Sequence, residues 1–459
     1  MTHATGQMHL AAFAAAGPVS GNHGGWRYPG ADSDILSPGY YGRIARALEA
    51  ACFDLLFVAD ILAVPDRLDS SMDSQLRYGA LGALRLDPLV VLSLIAAQTR
   101  HLGLAATIST TYFHPYQVAR ALATLDHLSE GRAAWNIVTS FQQAEARNFG
   151  LEDHLAKEAR YDRADEFMEV ACKLWNSWAQ DALVRDAGAP LFADPAKVRA
   201  IEHKGQWFDV RGPLNVSRPP QGRPVFIQAG ASARGKRFAA RWADVIFVTH
   251  ASLDSAKDFY REMKALAAEQ GRDPGTLKIL PGIAPITGET EEIALAKDAV
   301  LTDLADPRAG LSTLAYHMDV DLGQFPQNEK LPVLDQPGVH GHYKEVAELT
   351  QKRGMSLREI GKQYGIKTNR DFIGDYRHVA DRIEQWFTAG ACDGFMIQFP
   401  YFHGGLDDFA QLVVPELQRR GLFRTQYEAG TLRQRLGLPE IASAPEVEAA
   451  GAAAARAHA

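Results

Sequence analysis

The fold class is decided by residues 102–140, which read LGLAATISTTYFHPYQVARALATLDHLSEGRAAWNIVTS. Residues 102–109 and 133–138 are short apolar runs, and hydroxyl or amide side chains collect where each run finishes. Residues 115–129 begin with a proline, which suits the first turn of a helix, and carry apolar side chains at helical spacing. Two strands joined by such a helix form a right-handed unit with parallel strands. Their polar ends therefore lie where α/β folds bind ligands.

This strand and helix alternation recurs along the whole chain. Eight apolar runs precede helical patterns, at 9–14, 54–59, 102–109, 133–138, 224–229, 244–248, 278–284 and 394–399. The helical patterns cover 39–52, 88–99, 115–129, 161–177, 234–242, 254–270, 289–304 and 377–389. Eight such units predict an α/β fold of the (β/α)8 TIM barrel type, because they overfill a single doubly wound sheet.

Domain organisation follows from the spacing of these units. We expect one barrel over residues 1–440 with two insertions, at about 178–222 and 305–373, where periodicity is broken by Pro, Gly and Asp. Insertions of this length usually serve function, so substrate specificity is expected to reside there. The Ala-rich segment 441–459 is expected to be a flexible tail.

Composition excludes several functional classes. With 459 residues and 46% hydrophobic content the chain can bury a large core, while a net charge of −7 without basic runs argues against nucleic-acid binding. The three cysteines lie far apart and are read as buried thiols in a reducing cytoplasm. The apolar run 9–16 lacks a basic leader and is too short to cross a membrane, so no membrane association is expected.

Polar residues at the ends of the second, third and fourth strands are the first candidates for a site. Asp60 ends the second strand, Thr107 lies near the end of the third, and Asn136 and Ser140 end the fourth. Asp60 alone is explained equally well by a helix N-cap or a ligand contact, and each of the others alone is explained better as a turn residue than as a ligand contact. Their shared position at one rim favours a binding site.

The turn Gly230-Ala231-Ser232 after the fifth strand is a candidate anion site. Small residues let a ligand approach the backbone, and the first amides of the following helix point toward an anion. An ordinary serine N-cap explains the same residues. Tyr161, at the start of an earlier helix, offers a hydroxyl for the same phosphate. Arg237 stands where a P-loop requires Ser or Thr, so nucleotide hydrolysis is rejected, and no GxGxxG motif is present.

Histidines outside these turns keep a second enzyme class open. His340-Gly341-His342 resembles the HxH pair of metal-dependent barrel hydrolases, although it lies in the second insertion, where a solvated loop pair explains it better. We assign no metal site. His23 and Trp26 follow the first strand and are candidates for a substrate pocket, unless Trp26 simply covers the core of a loop.

Several motifs together resemble one enzyme family. They are Trp26-Arg27, 53–60 (FDLLFVAD), 87–99 (DPLVVLSLIAAQT), 131–140 (GRAAWNIVTS), 160–167 (RYDRADEF), Leu174-Trp175, 228–239 (QAGASARGKRFA) and 413–439 (VVPELQRRGLFRTQYEAGTLRQRLGLP). The chain resembles the flavin-dependent monooxygenases of the bacterial luciferase-like superfamily, in particular the branch of nitrilotriacetate, EDTA and dibenzothiophene-sulfone monooxygenases.

The resemblance implies a TIM barrel that binds reduced FMN (FMNH2) at its carboxyl rim, as a homodimer or homotetramer. By position, Asp60, Thr107 and Asn136 would contact the isoalloxazine, and Ser140, Tyr161 and Gly230-Ala231-Ser232 the phosphate. Lys157 stands where the family often has a histidine, and it could pair with the phosphate. No catalytic side chain is assigned.

The implied reaction inserts one oxygen atom of O2 into a small sulfone, thioether, amine or aminocarboxylate through a flavin peroxide. Since no nicotinamide-binding motif is present, a separate NAD(P)H:flavin reductase would supply FMNH2, which makes this chain the oxygenase of a two-component system. Three alternatives are retained: a deazaflavin-dependent oxidoreductase, a flavin-binding protein without catalysis, and a metal-dependent barrel hydrolase.

Overall fold

Eight parallel strands form a closed barrel in the computed structural model, which describes residues 6–18, 21–79, 82–230, 232–333, 343, 346–366 and 369–443. The strands are β1 His9–Ala15, β2 Leu55–Ala59, β3 Gly103–Ser109, β4 Ala133–Val138, β5 Val225–Gln228, β6 Val245–Val248, β7 Lys278–Ile283 and β8 Gly394–Gln398. Their order around the barrel follows the chain, and β8 closes onto β1. The predicted fold class is confirmed, and the predicted strand ends differ by one residue at most.

Helices surround this barrel. They are α1 Pro38–Ala50, α2 Asp73–Tyr78, α3 Pro88–Ala96, α4 Pro115–Leu128, α5 Gln143–Asn148, α6 Lys157–Trp175, α7 Ala233–Trp242, α8 Leu253–Glu269, α9 Glu291–Leu304, α10 Pro307–Met318, α11 Leu357–Ile366, α12 Tyr376–Thr388, α13 Gly404–Asp408, α14 Val414–Arg419 and α15 Leu432–Arg435. The eight predicted helices are confirmed. None of the helices in the described part of the chain has the length and apolar character needed to span a membrane.

The barrel interior is packed from both strand and C-terminal residues. Alternate strand positions face inward and form one apolar cluster, to which α15 and its flank add Leu432, Leu436 and Leu438. A Cβ on Gly103, the first residue of β3, would lie 2.8 Å from the Leu432 side chain. The C-terminal segment therefore closes the amino-terminal end of the barrel and leaves the carboxyl end for a site.

The segment 178–222 lies on the outside of the helix layer. It contains two antiparallel hairpins, Leu183–Asp186 with Leu191–Ala193 and His203–Lys204 with Asp209–Val210. The Glu166 carboxylate on α6 accepts hydrogen bonds from the Trp207 and Phe208 amides at 2.9 and 2.8 Å. The Tyr116 hydroxyl on α4 donates to Asn215 at 3.2 Å. These contacts give no support to our expectation that this insertion determines specificity.

The second insertion covers the barrel mouth with α10 and α11. These helices pack so closely that a Cβ on Gly310 would lie 1.8 Å from the Gly361 carbonyl oxygen. Their apolar core also takes in Leu68 from the loop 60–87 after β2. Gln75 of that loop donates to the Ser312 hydroxyl on α10 at 2.9 Å, so the loop and the insertion form one cover. His340-Gly341-His342 and the segment 444–459 lie outside the described residues.

Candidate functional site

The floor of the barrel mouth is aromatic. Phe13, Phe57 and Phe247, on β1, β2 and β6, bring their rings together with centroid separations of 5.3, 5.7 and 5.6 Å. They stand on inward-facing positions, two residues after Ala11, Leu55 and Val245 of the same apolar cluster. Sequence reasoning missed them. The signal was present in β1, where Phe13 is the one aromatic residue in a strand of small side chains.

Beside this floor lies a polar edge. Thr107 and Asn136 are direct register partners on β3 and β4, and the Asn136 amide donates to the Thr107 hydroxyl at 3.0 Å. The Asn136 Oδ1 and Gln228 Oε1 atoms are buried and have no hydrogen-bond partner among the described residues. A buried amide oxygen without a donor is unfavourable, so this edge suits a ligand that carries N–H groups.

Ser140 joins this edge to the loops around it. Its hydroxyl donates to the Ser109 hydroxyl at 2.9 Å, and its carbonyl accepts a hydrogen bond from Arg160. Ser140 has a φ of +46°, a left-handed conformation that is uncommon for a residue other than glycine. Backbone strain of this kind is often found at binding sites.

The start of α7 brings two predicted residues together. Ser232 caps the helix, and its Oγ atom accepts a hydrogen bond from the Gly235 amide at 3.1 Å. A Cβ on Gly235 would lie 2.9 Å from the Tyr161 hydroxyl and 3.1 Å from the Ser232 Oγ, so the three groups meet at one point. Burial raises the pKa of Tyr161, although hydrogen bonds with Ser232 and Thr139 act to lower it. Two hydroxyls and a helix N-terminus therefore form a cradle for an anion.

The rest of the turn and Lys157 are placed as follows. A Cβ on Gly230 would lie 2.4 Å from the Gln228 Nε2 atom, so a larger residue here would displace the Gln228 side chain. Ala231 lies outside the described residues. Lys157 is exposed on the first turn of α6, one helical turn before Tyr161. Its predicted pairing with phosphate stays a prediction.

The two predicted pocket residues differ in their environments. His23 is buried, and its backbone amide donates to the Gly365 carbonyl of α11 at 2.8 Å, which places it under the cover of the mouth. Trp26 is 38% exposed, and its indole donates to the Tyr78 carbonyl at 2.9 Å. Trp26 thus packs on the loop 60–87, which agrees with the alternative that it covers the core of a loop.

Asp60 ends β2 at the same rim, where its carboxylate accepts a hydrogen bond from the Ile61 amide at 2.9 Å. Burial raises its pKa to about 7, which outweighs the opposite influence of Arg85. Glu145 lies nearby, accepts from the Leu62 amide at 3.0 Å, and also has a raised pKa because it is buried. The charge of Glu145 contributes to the raised pKa of Asp60.

We expect the variant Asp60→Asn to be more stable than the wild type, by a margin that grows with pH. A raised pKa in the folded state means that ionisation of the Asp60 carboxyl group is less favourable in the folded chain than in the unfolded one. Ionised Asp60 therefore destabilises the fold, and this loss of stability begins above pH 4 and is complete above pH 7. Thermal denaturation without flavin between pH 4.5 and 8.5 measures the margin. A constant difference in Tm across this range would contradict the expectation.

A model of the family described as luciferase-like monooxygenase matches residues 17–392. Dibenzothiophene-sulfone monooxygenase of Rhodococcus erythropolis (strain XP) is 46% identical over 96% of this chain and 99% of its own length. Nitrilotriacetate monooxygenase component A of Aminobacter aminovorans is 41% identical over 92% of this chain and 94% of its own length. The crystal structure of DmoA from Hyphomicrobium sulfonivorans has a TM-score of 0.87 at 33% identity, covering 94% of this chain and 92% of that one.

Proposed function

Because the chain belongs to the luciferase-like monooxygenase family, we propose that it is an FMNH2-dependent oxygenase that adds one oxygen atom from O2 to a small organic substrate. The observation that carries this proposal is the arrangement of one rim. The anion cradle of Tyr161, Ser232 and Gly235 lies after β5, and the polar edge of Thr107 and Asn136 lies on β3 and β4, beside the aromatic floor. This order of features suits a molecule with a phosphate at one end and a flat ring carrying N–H groups at the other.

The residues of the chain then have distinct tasks. The hydroxyls of Tyr161 and Ser232 and the first amides of α7 would hold the phosphate, and Asn136 and Gln228 would accept N–H groups of the ring with their unpaired oxygens. The cover formed by α10 and the loop 60–87 keeps water from the mouth, which protects reactive oxygen chemistry. Asp60 can hold a proton at its carboxyl group near neutral pH, because its pKa is about 7. Reduced FMN, when bound, supplies the two electrons and the activation of O2.

Supply of the reduced flavin is assigned to a second protein. The relative from Aminobacter aminovorans is named component A, which fits a division of the reaction between two chains. The sequence has no GxGxxG motif for a nicotinamide. We infer that a separate NAD(P)H:flavin reductase reduces FMN, which reaches this chain by diffusion.

The proposed homodimer or homotetramer has a candidate contact surface. Val90 on α3 and Leu128 on α4 are each 70% exposed and flank one groove between the two helices. Exposed apolar side chains on neighbouring helices suit a contact between copies of the chain. Light scattering of the purified chain measures the oligomeric state.

The function is tested by oxygen uptake with the purified chain, FMN, NADH and an unrelated flavin reductase. The substrate panel consists of sulfones, thioethers, amines and aminocarboxylates, with 18O2 as oxidant. We expect one member to give a product that contains a single 18O atom and to require both FMN and this chain. Turnover with reduced deazaflavin in the absence of O2 would favour the deazaflavin-dependent oxidoreductase. Activity that needs no flavin and is lost with 1,10-phenanthroline would favour the hydrolase, and FMN binding without any product would favour a binding protein.

A further inference from the structure

A half-buried arginine, two of whose nitrogen atoms are buried without a hydrogen-bond partner, lies at the mouth of the barrel. The Nε and Nη1 atoms of Arg85 are buried and have no hydrogen-bond partner among the residues that the structure describes. A buried guanidinium normally has its N–H groups paired with carboxylates or carbonyls, because leaving them unpaired is unfavourable.

Other buried arginines of this chain show the usual arrangement. Arg132 donates five hydrogen bonds, four of them from its guanidinium Nη atoms at 2.8–3.0 Å. Arg424 reaches the Asp54 carboxylate at 2.6 Å, and Arg433 reaches the Asp244 carboxylate at 2.8 Å. Arg424 Nη1 and Arg433 Nε are also buried without a hydrogen-bond partner among the described residues, but each of these two guanidiniums contacts a carboxylate, and that of Arg132 contacts several oxygens. Arg85 differs from them in having no such partner.

The position of Arg85 is fixed by the backbone at the end of β1. The Leu86 amide donates to the Ala16 carbonyl at 2.8 Å. A Cβ on Gly17 would lie 2.2 Å from the Leu84 carbonyl oxygen, so glycine is needed for this close approach. Arg85 is therefore held beside the ends of β1 and β2, at the same rim as Asp60.

The groups that face Arg85 do not neutralise its charge. They are Asp60 at the end of β2, Tyr41 on α1 and Tyr316 on α10. Both tyrosine hydroxyls have a pKa raised by burial and stay neutral, and the Tyr41 hydroxyl donates to the Ile35 carbonyl at 2.8 Å. Asp60 forms no ion pair with Arg85 within the described part of the chain, and its carboxylate is turned to the Ile61 amide. Asp60 is thus the one carboxylate that faces Arg85 among the described residues, and it does not come within ion-pair distance of the guanidinium.

The cover above Arg85 places it inside the mouth and not on the outer surface. Tyr316 packs against Phe141 of the loop after β4, with ring centroids 6.3 Å apart, and its carbonyl accepts a hydrogen bond from Gln142. The helix α10 therefore reaches across from the β1–β2 side of the rim to the β4 side. Arg85 therefore faces a residue of α10, the helix that lies over the mouth.

We propose that Arg85 recognises an anionic group, a carboxylate or a sulfonate-type oxyanion, on the molecule that is oxidised. A guanidinium matches the geometry of both groups with two parallel hydrogen bonds. The inference rests on the proposed function in one respect, since it takes the covered mouth as the place where the substrate lies. Reduced FMN also has an anionic ring, so the test must separate these two sources of negative charge.

The test compares Arg85→Met with the wild type and with the control Arg77→Met, which makes the same change at an exposed position of the same loop. The probes are benzoate and benzenesulfonate, with benzamide and benzenesulfonamide as neutral counterparts. Binding to the full chain is measured by calorimetry, with and without FMN. We expect the wild type and Arg77→Met to bind the anions at least ten times more tightly than the amides. In Arg85→Met this preference is expected to vanish, while Arg85→Lys keeps part of it.

Stability and flavin affinity complete the test. No carboxylate forms an ion pair with Arg85 among the described residues, so its removal leaves no buried charge unpaired. Arg85→Met is therefore expected to have a Tm equal to or above that of the wild type, whereas a fall in Tm would indicate a structural role. Equal binding of anions and amides by the wild type would overturn the proposal. Loss of affinity for reduced but not oxidised FMN, with the anion preference intact, would assign Arg85 to the flavin and also overturn it. A wild type that prefers the anions but binds no FMN would contradict only the proposed function.

Discussion

Replacement of Asp244 by alanine is expected to lower the free energy of unfolding by about 4 kcal/mol, since it leaves buried arginines without their partner. Asp244 immediately precedes β6 at the closed end of the barrel. Its carboxylate lies 2.8 Å from Arg433, which is 2% exposed, and 3.0 Å from Arg223. It also accepts a hydrogen bond from the Phe226 amide at 2.9 Å. Removal of the carboxylate therefore disturbs both the start of β5 and the anchor of the C-terminal segment.

Urea denaturation followed by tryptophan fluorescence measures this loss, and Asp258→Ala is the matched control. Asp258 pairs with Arg261 on the exposed face of α8, where an ion pair contributes about 0–1 kcal/mol. A similar small loss for Asp244→Ala would show that the buried cluster reorganises and that our account of the closed end is wrong.

The carboxylate of Asp244 also makes the free energy of unfolding depend on pH. The arginines Arg223 and Arg433 together with the Phe226 amide hold the pKa of Asp244 well below its usual value, against the effect of burial. A lowered pKa in the folded state means that the stabilisation is fully present above about pH 4 and is lost as the pH falls toward the lowered pKa. The wild type should therefore lose more stability between pH 5 and 3 than Asp244→Asn does.

The barrel could be predicted because each of its strands and helices is specified by a short, continuous stretch of sequence. Each strand is a short apolar run and each helix an amphipathic pattern with its own cap, as at Asp87, where the carboxylate accepts from the Leu89 amide at 2.8 Å. Eight repeats of that unit leave one architecture. The ion pair between Asp244 and Arg433 was not predictable in the same way, because the two residues are 189 positions apart and no local pattern indicates which acidic residue Arg433 contacts.

Some residues of the candidate site could likewise be predicted from local sequence, and others could not. The residues at strand ends, such as Thr107 and Asn136, were predicted because the fold itself brings strand ends together. Arg85 was not singled out. Its proposed role depends on the absence of hydrogen-bond partners in the folded loop 60–87, which the sequence does not show. The insertion 178–222 was assigned to specificity from its length and broken periodicity, and these features do not say on which side of a helix a segment packs.

We expect Ser232→Asp to weaken FMN binding by about a hundredfold while the fold stays intact. Aspartate is as good an N-cap as serine, and a negative charge at a helix N-terminus is favourable, so α7 should be preserved. A phosphate in the cradle with Tyr161 would then meet a carboxylate, and like charges about 4 Å apart near a protein surface repel by up to ~4 kcal/mol. Quenching of FMN fluorescence on titration with the variant measures the affinity, and thermal denaturation checks the fold.

Two comparisons make this result specific to the phosphate. Ser252→Asp makes the same change at the N-cap of α8, where the hydroxyl accepts from the Ser255 amide at 3.2 Å, and it should leave FMN binding unchanged. Riboflavin has the same ring as FMN but no phosphate, so its affinity for Ser232→Asp should equal that for the wild type. If both flavins lose affinity equally, the ring and not the phosphate lies at the start of α7. If neither does, the side chains gathered at this rim bind another molecule.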